Sequence, residues 1–208
     1  YQTYGTKGFM LYDDELNVNK QMISLMKAIR AAQNDLGVRW LLRGFVKAEL
    51  FTEEQALAMF EAGFRWMLTG FESGSPRILE NINKKATREE NTRAIEIAHK
   101  HGLKVKALMS IGHPGESKKT VFETRDWLLE VHPDDFDLTI ITTYPGSPYY
   151  DDAVPHKKKR RTWVYTYRKT GDRLYGIEID YSKVADYYKG APEGGYKSFV
   201  YTDYLTQK

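Results

Sequence analysis

The chain has 208 residues, a formal net charge of +3 and no cysteine. This length is enough to bury a substantial core in one domain, or in one domain with an appendage, which argues against a disordered chain. Because there is no thiol, a disulfide scaffold, a thiolate metal or iron–sulfur site built from this chain and a cysteine nucleophile are excluded. There is neither a run of about 18 apolar residues nor a signal peptide, so we expect a soluble, cytoplasmic protein with no membrane partner.

The positive charge is concentrated in one short run, Lys157 to Arg161, in which every side chain is basic. Nucleic-acid-binding proteins usually spread Lys and Arg over a face, because affinity depends on neutralising several phosphates. A contiguous run is more typical of a solvated linker, so we do not expect nucleic acid as a partner. We therefore predict a domain at 1–153, a basic linker at 154–161 and a Tyr-rich appendage at 162–208, which holds nine of the fifteen tyrosines.

From residue 9 onward, short apolar runs alternate with longer amphipathic segments, which is typical of a parallel sheet covered by crossover helices. The predicted strands are 9–12, 38–43, 65–70, 104–111 and 136–143. The predicted helices are 19–36, a helix capped at Thr52 that ends at Ala62, 77–82 with Ser75 as its N-cap, a helix capped at Thr87 that ends at His101, and 117–131. Right-handed crossovers make this either a doubly wound sheet or an arc of a β/α barrel. Further along, 162–167 and 174–179 flank a turn and predict a β-hairpin.

Polar or glycine-rich blocks follow each predicted strand, at the edge where βα folds carry their functional residues. These blocks are Asp13-Asp14-Glu15, Arg43-Gly44, Gly70 to Ser75, Gly112 to Glu116 and Tyr144 to Pro148. Glycines bring backbone N–H groups to a helix start, where an anion is favoured, whereas carboxylates bind an ammonium group or ribose hydroxyls. A zwitterionic or nucleoside ligand would use both.

In this order, the blocks resemble those of the radical S-adenosylmethionine enzymes, in particular the branch that often carries an N-terminal cobalamin-binding domain and includes proteins similar to anaerobic magnesium-protoporphyrin monomethyl ester cyclase. The resemblance covers about residues 4–152 and is most specific in the block around Glu72 followed by Gly112-His113-Pro114-Gly115-Glu116. It implies a partial TIM-type (β/α)6 barrel of strands two to six, which lacks the first strand, with a small C-terminal β-containing extension. The first strand and the Cys-x3-Cys-x2-Cys loop would lie upstream of Tyr1, so we expect these residues alone to be inactive.

The resemblance also implies the cofactors and their binding residues. The parent enzyme would use a [4Fe-4S] cluster to cleave S-adenosylmethionine to a 5′-deoxyadenosyl radical for C–H activation on a small-molecule substrate, with cobalamin as a further candidate cofactor. The residues that match cofactor-binding positions are Asp13, Asp14, Arg43, Glu72, Ser73, Lys84, Ile111 and Gly112. In chain order, they match the acidic pair near the methionine amino group, a polar residue that ends strand three, the polar pair that approaches the ribose, the basic residue that faces the methionine carboxylate and the backbone that borders the adenine.

Three other interpretations stay open on the sequence alone. The block from Gly70 to Ser75 would serve as an anion loop in a phosphate-binding β/α-barrel enzyme, although no Schiff-base lysine ends a predicted strand. The basic run together with the Tyr-rich tail would suit an RNA-binding module. His113 and Glu116 would be an acid–base pair, although a Pro-Gly turn before a helix explains both positions. No catalytic residue and no metal ligand is predicted.

Overall fold

In the part of the chain that the structure describes, five strands form one sheet in chain order, and four strands form a second sheet. The first sheet contains β1 (Gly8–Leu11), β2 (Leu41–Phe45), β3 (Phe64–Glu72), β4 (Lys104–Ile111) and β5 (Asp135–Ile140). The second contains β6 (Val154–Pro155), β7 (Thr162–Thr166), β8 (Arg173–Ile177) and β9 (Val200–Thr202). The helices are α1 (Met22–Asp35), α2 (Glu53–Glu61), α3 (Pro76–Asn81), α4 (Arg88–Lys100), α5 (Lys118–Val131) and α6 (Pro148–Asp151). The computed structural model describes residues 1–180 and 198–206.

The strand order decides between the two architectures that the sequence left open. Neighbours in the first sheet are also neighbours in the chain, and β1 pairs with β2, and β2 with β3, in parallel. A doubly wound sheet reverses its order at a switch point, whereas a β/α barrel adds its strands sequentially. The expected partial barrel is thus confirmed, and so is the β-containing extension, since β7 and β8 pair antiparallel as a hairpin.

The helix boundaries follow the predicted caps with one exception. Thr52 and Thr87 each form a complete capping box, so α2 and α4 begin where the sequence placed them. Ser75 is the N-cap residue of α3, but its side chain does not cap the helix, because the hydroxyl donates to Glu123 instead. The predicted N-cap position is therefore confirmed, and the Ser75 hydroxyl bonds to α5 instead of to its own helix.

The second strand begins later than predicted because a glutamine side chain hydrogen-bonds to the backbone just before it. The amide of Gln33 accepts from the backbone N–H of Trp40 at 2.7 Å and donates to the carbonyl of Ala62 at 2.8 Å. Gln33 is buried, so these bonds fix the segment before β2 in place of strand pairing. Pairing with β1 starts at Leu41, which lies opposite Gly8.

The chain divides into two compact units. The first is 1–71, 85–108 and 128–137, and its fully buried side chains include Met59 and Phe64. The second is 72–84, 109–127 and 138–208, and it contains the ends of β3 and β4 together with the second sheet. The division at 153 and 161 expected from composition stays a prediction. Among the described residues, no helix is both long and apolar enough to cross a membrane.

Candidate functional site

The end of β3 is held in an unusual backbone conformation. Glu72 has a φ of 66°, in the left-handed region that costs a non-glycine residue about 1–2 kcal/mol. The turn that follows is fastened to α5, since Thr124 Oγ1 lies 3.0 Å from Ser73 Oγ and accepts from the Gly74 N–H at 3.1 Å. Ser73 Oγ also accepts from the Ser75 N–H at 3.1 Å. These hydrogen bonds hold the turn after Glu72 in place. They therefore stabilise the strained backbone of Glu72 and fix the position from which its side chain extends.

The carboxylate of Glu72 lies between a hydroxyl and a cation. Its Oε2 accepts from Ser110 Oγ, at the end of β4, at 2.6 Å, and its Oε1 is 3.8 Å from Lys84 Nζ. The Glu72 side chain is 33 % exposed and the Lys84 side chain 24 %. Two of the predicted cofactor-binding residues therefore lie together as a solvent-accessible pair of opposite charge.

A buried histidine lies behind this pair. His113 Nε2 is 2.7 Å from Ser110 Oγ, and His113 Nδ1 is 3.2 Å from the Tyr149 hydroxyl. Burial lowers the pKa of His113 to about 4, because the charged imidazolium is poorly solvated there. Burial also raises the pKa of Tyr149, so the imidazole is neutral and the phenol protonated near pH 7.

Glu116 does not bond to the His113 ring; its carboxylate bonds to the first turn of α5 and to the loop that precedes this helix. It accepts from the Thr120 hydroxyl and, at 3.3 Å, from the Gly112 N–H. Burial raises the pKa of Glu116, while these hydrogen bonds partly oppose the rise. The backbone carbonyl of Glu116 accepts from Thr202 Oγ1, in β9, at 2.7 Å. The two side chains considered as an acid–base pair thus have separate partners.

The backbone at 111–112 is closely packed. Gly112 has a φ of +102°, and a Cβ there would lie 3.0 Å from Val200 Cγ2 and 3.4 Å from Ile141 Cγ1. The carbonyl of Ile111 accepts from the Ile141 N–H at 2.9 Å. The positive φ and the packing against Val200 and Ile141 therefore account for the glycine at 112, whose backbone the resemblance places beside the adenine.

A buried aspartate in the hairpin turn between β7 and β8 fastens the loop at 112–116. Asp172 accepts from Arg77 at 2.6 Å, from Asn81 at 2.9 Å and from Thr170 at 2.9 Å, and Asn81 also donates to the carbonyl of Pro114 at 2.7 Å. Burial alone would raise the pKa of Asp172, but the hydrogen bonds from Asn81, Arg77 and Thr170 hold it below its usual range. The C-terminal extension is thus bonded, through Asn81, to the loop that carries His113.

The remaining predicted residues lie elsewhere or have other partners. Asp13, Asp14 and Arg43 belong to the first unit, where all three are exposed. Ser73 is buried and its hydroxyl bonds within the turn. Sequence reasoning did not identify Ser110, Tyr149 or Asp172 as partners of the site. The bonds from Ser110 to Glu72, from Tyr149 to His113 and from Asn81 to Asp172 join residues 36 or more positions apart, so no local pattern indicates them.

The residues present do not fit an iron–sulfur cluster. Cluster irons are held mainly by cysteine thiolates, and the chain has none. Within 1–180 and 198–206, no group of three or more His, Cys, Asp or Glu side chains could hold a metal ion. The donor set does fit S-adenosylmethionine, because a carboxylate accepts from ribose hydroxyls and an ammonium group pairs with the α-carboxylate.

Comparison with known proteins gives a family that agrees with the fold. An uncharacterized methyltransferase of Pyrococcus horikoshii is 33 % identical over 151 residues, which are 73 % of this chain and 32 % of that protein. The anaerobic magnesium-protoporphyrin IX monomethyl ester cyclase of Rubrivivax gelatinosus is 29 % identical over 150 residues, which are 69 % of this chain and 26 % of that protein. The chain thus spans about a third or less of these relatives.

The fold is also found in solved structures. The radical S-adenosylmethionine methyltransferase TsrM from Kitasatospora setae, solved with cobalamin and a [4Fe-4S] cluster, aligns with a TM-score of 0.63 and 21 % identity over 70 % of this chain and 28 % of that one. The Escherichia coli coproporphyrinogen III oxidase HemN aligns with a TM-score of 0.52 and 17 % identity over 61 % and 30 %. The sequence profile of the Radical SAM superfamily matches residues 1–128. The chain therefore belongs to the radical SAM superfamily.

Proposed function

We propose that this chain supplies part of the S-adenosylmethionine-binding surface of a radical SAM enzyme that acts on a small-molecule substrate. The observation that carries the proposal is the Glu72–Lys84 pair, in which Glu72 ends β3 and Lys84 follows α3, inside the segment that matches the superfamily. The carboxylate would accept hydrogen bonds from the ribose hydroxyls, and the ammonium group would pair with the methionine carboxylate. Each of the two side chains remains partly accessible to a ligand.

The chemistry of the parent enzyme would depend on groups that these residues do not hold. In this superfamily, S-adenosylmethionine and a reduced [4Fe-4S] cluster together supply a 5′-deoxyadenosyl radical, and the protein orients the cofactor and excludes water. The cluster ligands would come from outside these 208 residues, which include no cysteine. Cobalamin would be a further cofactor of the parent enzyme.

The other predicted residues keep their proposed roles. Asp13 and Asp14, exposed after β1, would bind the methionine amino group, and Arg43 would add a positive charge at β2. The backbone at Ile111 and Gly112 would border the adenine. Ser73 is the exception: it would act through the turn that it stabilises and not at the ribose, because its hydroxyl already bonds to Thr124.

The test is a titration with S-adenosylhomocysteine, which carries the same ribose and α-carboxylate but no sulfonium, followed by NMR on the 208-residue chain. Without an iron contact, we expect weak binding, with a dissociation constant on the order of 1 mM. Glu72→Gln should weaken it about tenfold, because a hydrogen bond to a charged group contributes about 1.5–3 kcal/mol.

Glu130→Gln is the matched control, since Glu130 is also a carboxylate paired with a cation, Arg88, but lies on α5. It should leave the affinity unchanged. The proposal is wrong if wild-type chain gives no saturable shifts, or if Glu72→Gln binds as well as Glu130→Gln.

A further inference from the structure

Four side chains of the second unit form one continuous hydrogen-bonded chain, which we call the Tyr149–Glu72 chain. It runs from the Tyr149 hydroxyl to His113 Nδ1 over 3.2 Å, from His113 Nε2 to Ser110 Oγ over 2.7 Å, and from Ser110 Oγ to Glu72 Oε2 over 2.6 Å. Tyr149 packs against Tyr165, with their ring centroids 4.9 Å apart, which holds the phenol at the far end.

The direction of every donor in this chain follows from the acceptor at its end. The ionised carboxylate of Glu72 can only accept, so the single hydroxyl proton of Ser110 is donated to it. Ser110 Oγ must then accept from His113, which places the imidazole proton on Nε2. A neutral ring has no second proton, so Nδ1 accepts from the Tyr149 hydroxyl. The ring is neutral because His113 is buried, 7 % exposed.

We propose that Ser110, His113 and Tyr149 are positioning residues for Glu72, a role that rests on the function proposed above. Each of the three residues donates a hydrogen bond to the next, and the last bond, from Ser110, is donated to Oε2 of Glu72. This bond fixes the rotation of the Glu72 carboxylate. Oε1, on the side of Lys84, is left to accept from a ligand hydroxyl. None of the three residues needs to touch the ligand.

The imidazole offers a matched pair of variants that separates this role from simple packing. In His113→Gln, the longer side chain can place an amide N–H near the position of Nε2 and still donate to Ser110. In His113→Asn, the amide reaches only the position of Nδ1 and the bond to Ser110 is lost. Both variants remove the imidazole ring, so both lose its packing. Only His113→Gln keeps the hydrogen bond to Ser110 that leads to Glu72.

The experiment has two readouts on the 208-residue chain. The first is the nitrogen-15 NMR spectrum of His113 at pH 7, which should show a protonated Nε2 and an unprotonated Nδ1. Tyr149→Phe should change the Nδ1 shift and keep the proton on Nε2, while Tyr150→Phe, a change at the exposed neighbour, should alter neither. A proton on Nδ1 in the wild-type chain would overturn the proposal.

The second readout is the affinity for S-adenosylhomocysteine. We expect Ser110→Ala and His113→Asn to weaken binding about tenfold and His113→Gln to stay within about twofold of wild type. Wild-type binding that none of these variants reduces would overturn the positioning role alone. If the wild-type protein binds no S-adenosylhomocysteine, the proposed function is wrong. The positioning role of Ser110, His113 and Tyr149 is then wrong as well, whichever tautomer His113 has.

Discussion

The two compact units differ in what they bury. In the first unit, the fully buried side chains such as Met59, Phe64 and Met67 are mostly apolar, and its ion pairs, such as Lys106 with Asp135, are solvent-accessible. The polar side chains that it buries, among the described residues, are the neutral groups of Asn17, Gln33, Thr69 and Asn91. In the second unit, the buried set also includes Ser73, Ser75, Asn81, His113, Glu116, Thr120, Asp172 and Thr202. Buried polar groups are retained where their geometry is used, because each must be matched by a partner. Among the described residues, the second unit is therefore the one that buries ionisable side chains, His113, Glu116 and Asp172, within its hydrogen-bonded polar groups.

The largest effect that this comparison predicts is at Asp172. Asp172→Ala removes the acceptor of four side chains, those of Arg77, Asn81, Thr170 and Tyr204, and leaves Arg77 and Asn81 without their buried partner. Removing one member of a buried pair typically costs about 3–5 kcal/mol, and we expect about 3 kcal/mol here because the Arg77 side chain is 46 % exposed. The measurement is urea unfolding of both proteins followed by circular dichroism.

Asp203→Ala is the control for Asp172→Ala. Asp203 also pairs with an arginine, Arg173, in the second sheet, but it is more exposed. It should cost about 1 kcal/mol or less. If the two variants lost the same free energy of unfolding, burial of the Asp172 network would contribute no extra stability to the second unit.

The lowered pKa of buried His113 should make the free energy of unfolding depend on pH. The unfolded chain binds a proton at His113 near pH 6.5, but the folded protein does so only near pH 4. As pH falls through this window, the unfolded state takes up the proton first, so the free energy of unfolding decreases by about 3 kcal/mol. The raised pKa of Glu116 acts in the opposite sense, because the folded state binds that proton more readily.

The variant His113→Gln isolates the histidine contribution, since it removes that titration and leaves Glu116 in place. The difference in free energy of unfolding between wild type and His113→Gln should change by about 3 kcal/mol from pH 7 to pH 4. The measurement is denaturant unfolding at a series of pH values. A constant difference over that range would mean that His113 titrates normally and is not buried as described.

The same contrast explains how much of the fold could be predicted. Apolar periodicity and capping boxes are local signals, and they placed α2, α4 and β4 within a residue or two. They failed at β2, because Gln33, in α1, bonds to Trp40 and delays strand pairing. A side chain that satisfies the backbone of another element leaves no periodic trace in the sequence.

The candidate site was only partly predictable for the same reason. The position of Glu72 at the end of a strand follows from the general rule for βα folds, whereas Lys84, which follows α3, was indicated only by the family resemblance. The structure brings the two side chains together. The bonds from Tyr149 and Asp172 join residues 36 or more positions from their partners. Such contacts depend on how distant segments of the chain pack together, which local sequence patterns do not show. The sequence therefore predicted which loops matter but not how they are fastened.

The smallest effect tests the first unit, where local signals should be sufficient. Thr87→Ala removes one half of the capping box of α4, because the Thr87 hydroxyl accepts from the Glu90 N–H at 3.1 Å. Losing such a cap costs about 1 kcal/mol, because the N–H is then left to water at an exposed helix end. Thr87→Ser, which keeps the hydroxyl, should restore nearly all of the stability in the same urea titration. If Thr87→Ala were as costly as Asp172→Ala, the first unit would depend on single polar contacts as strongly as the second, and the contrast between them would fail.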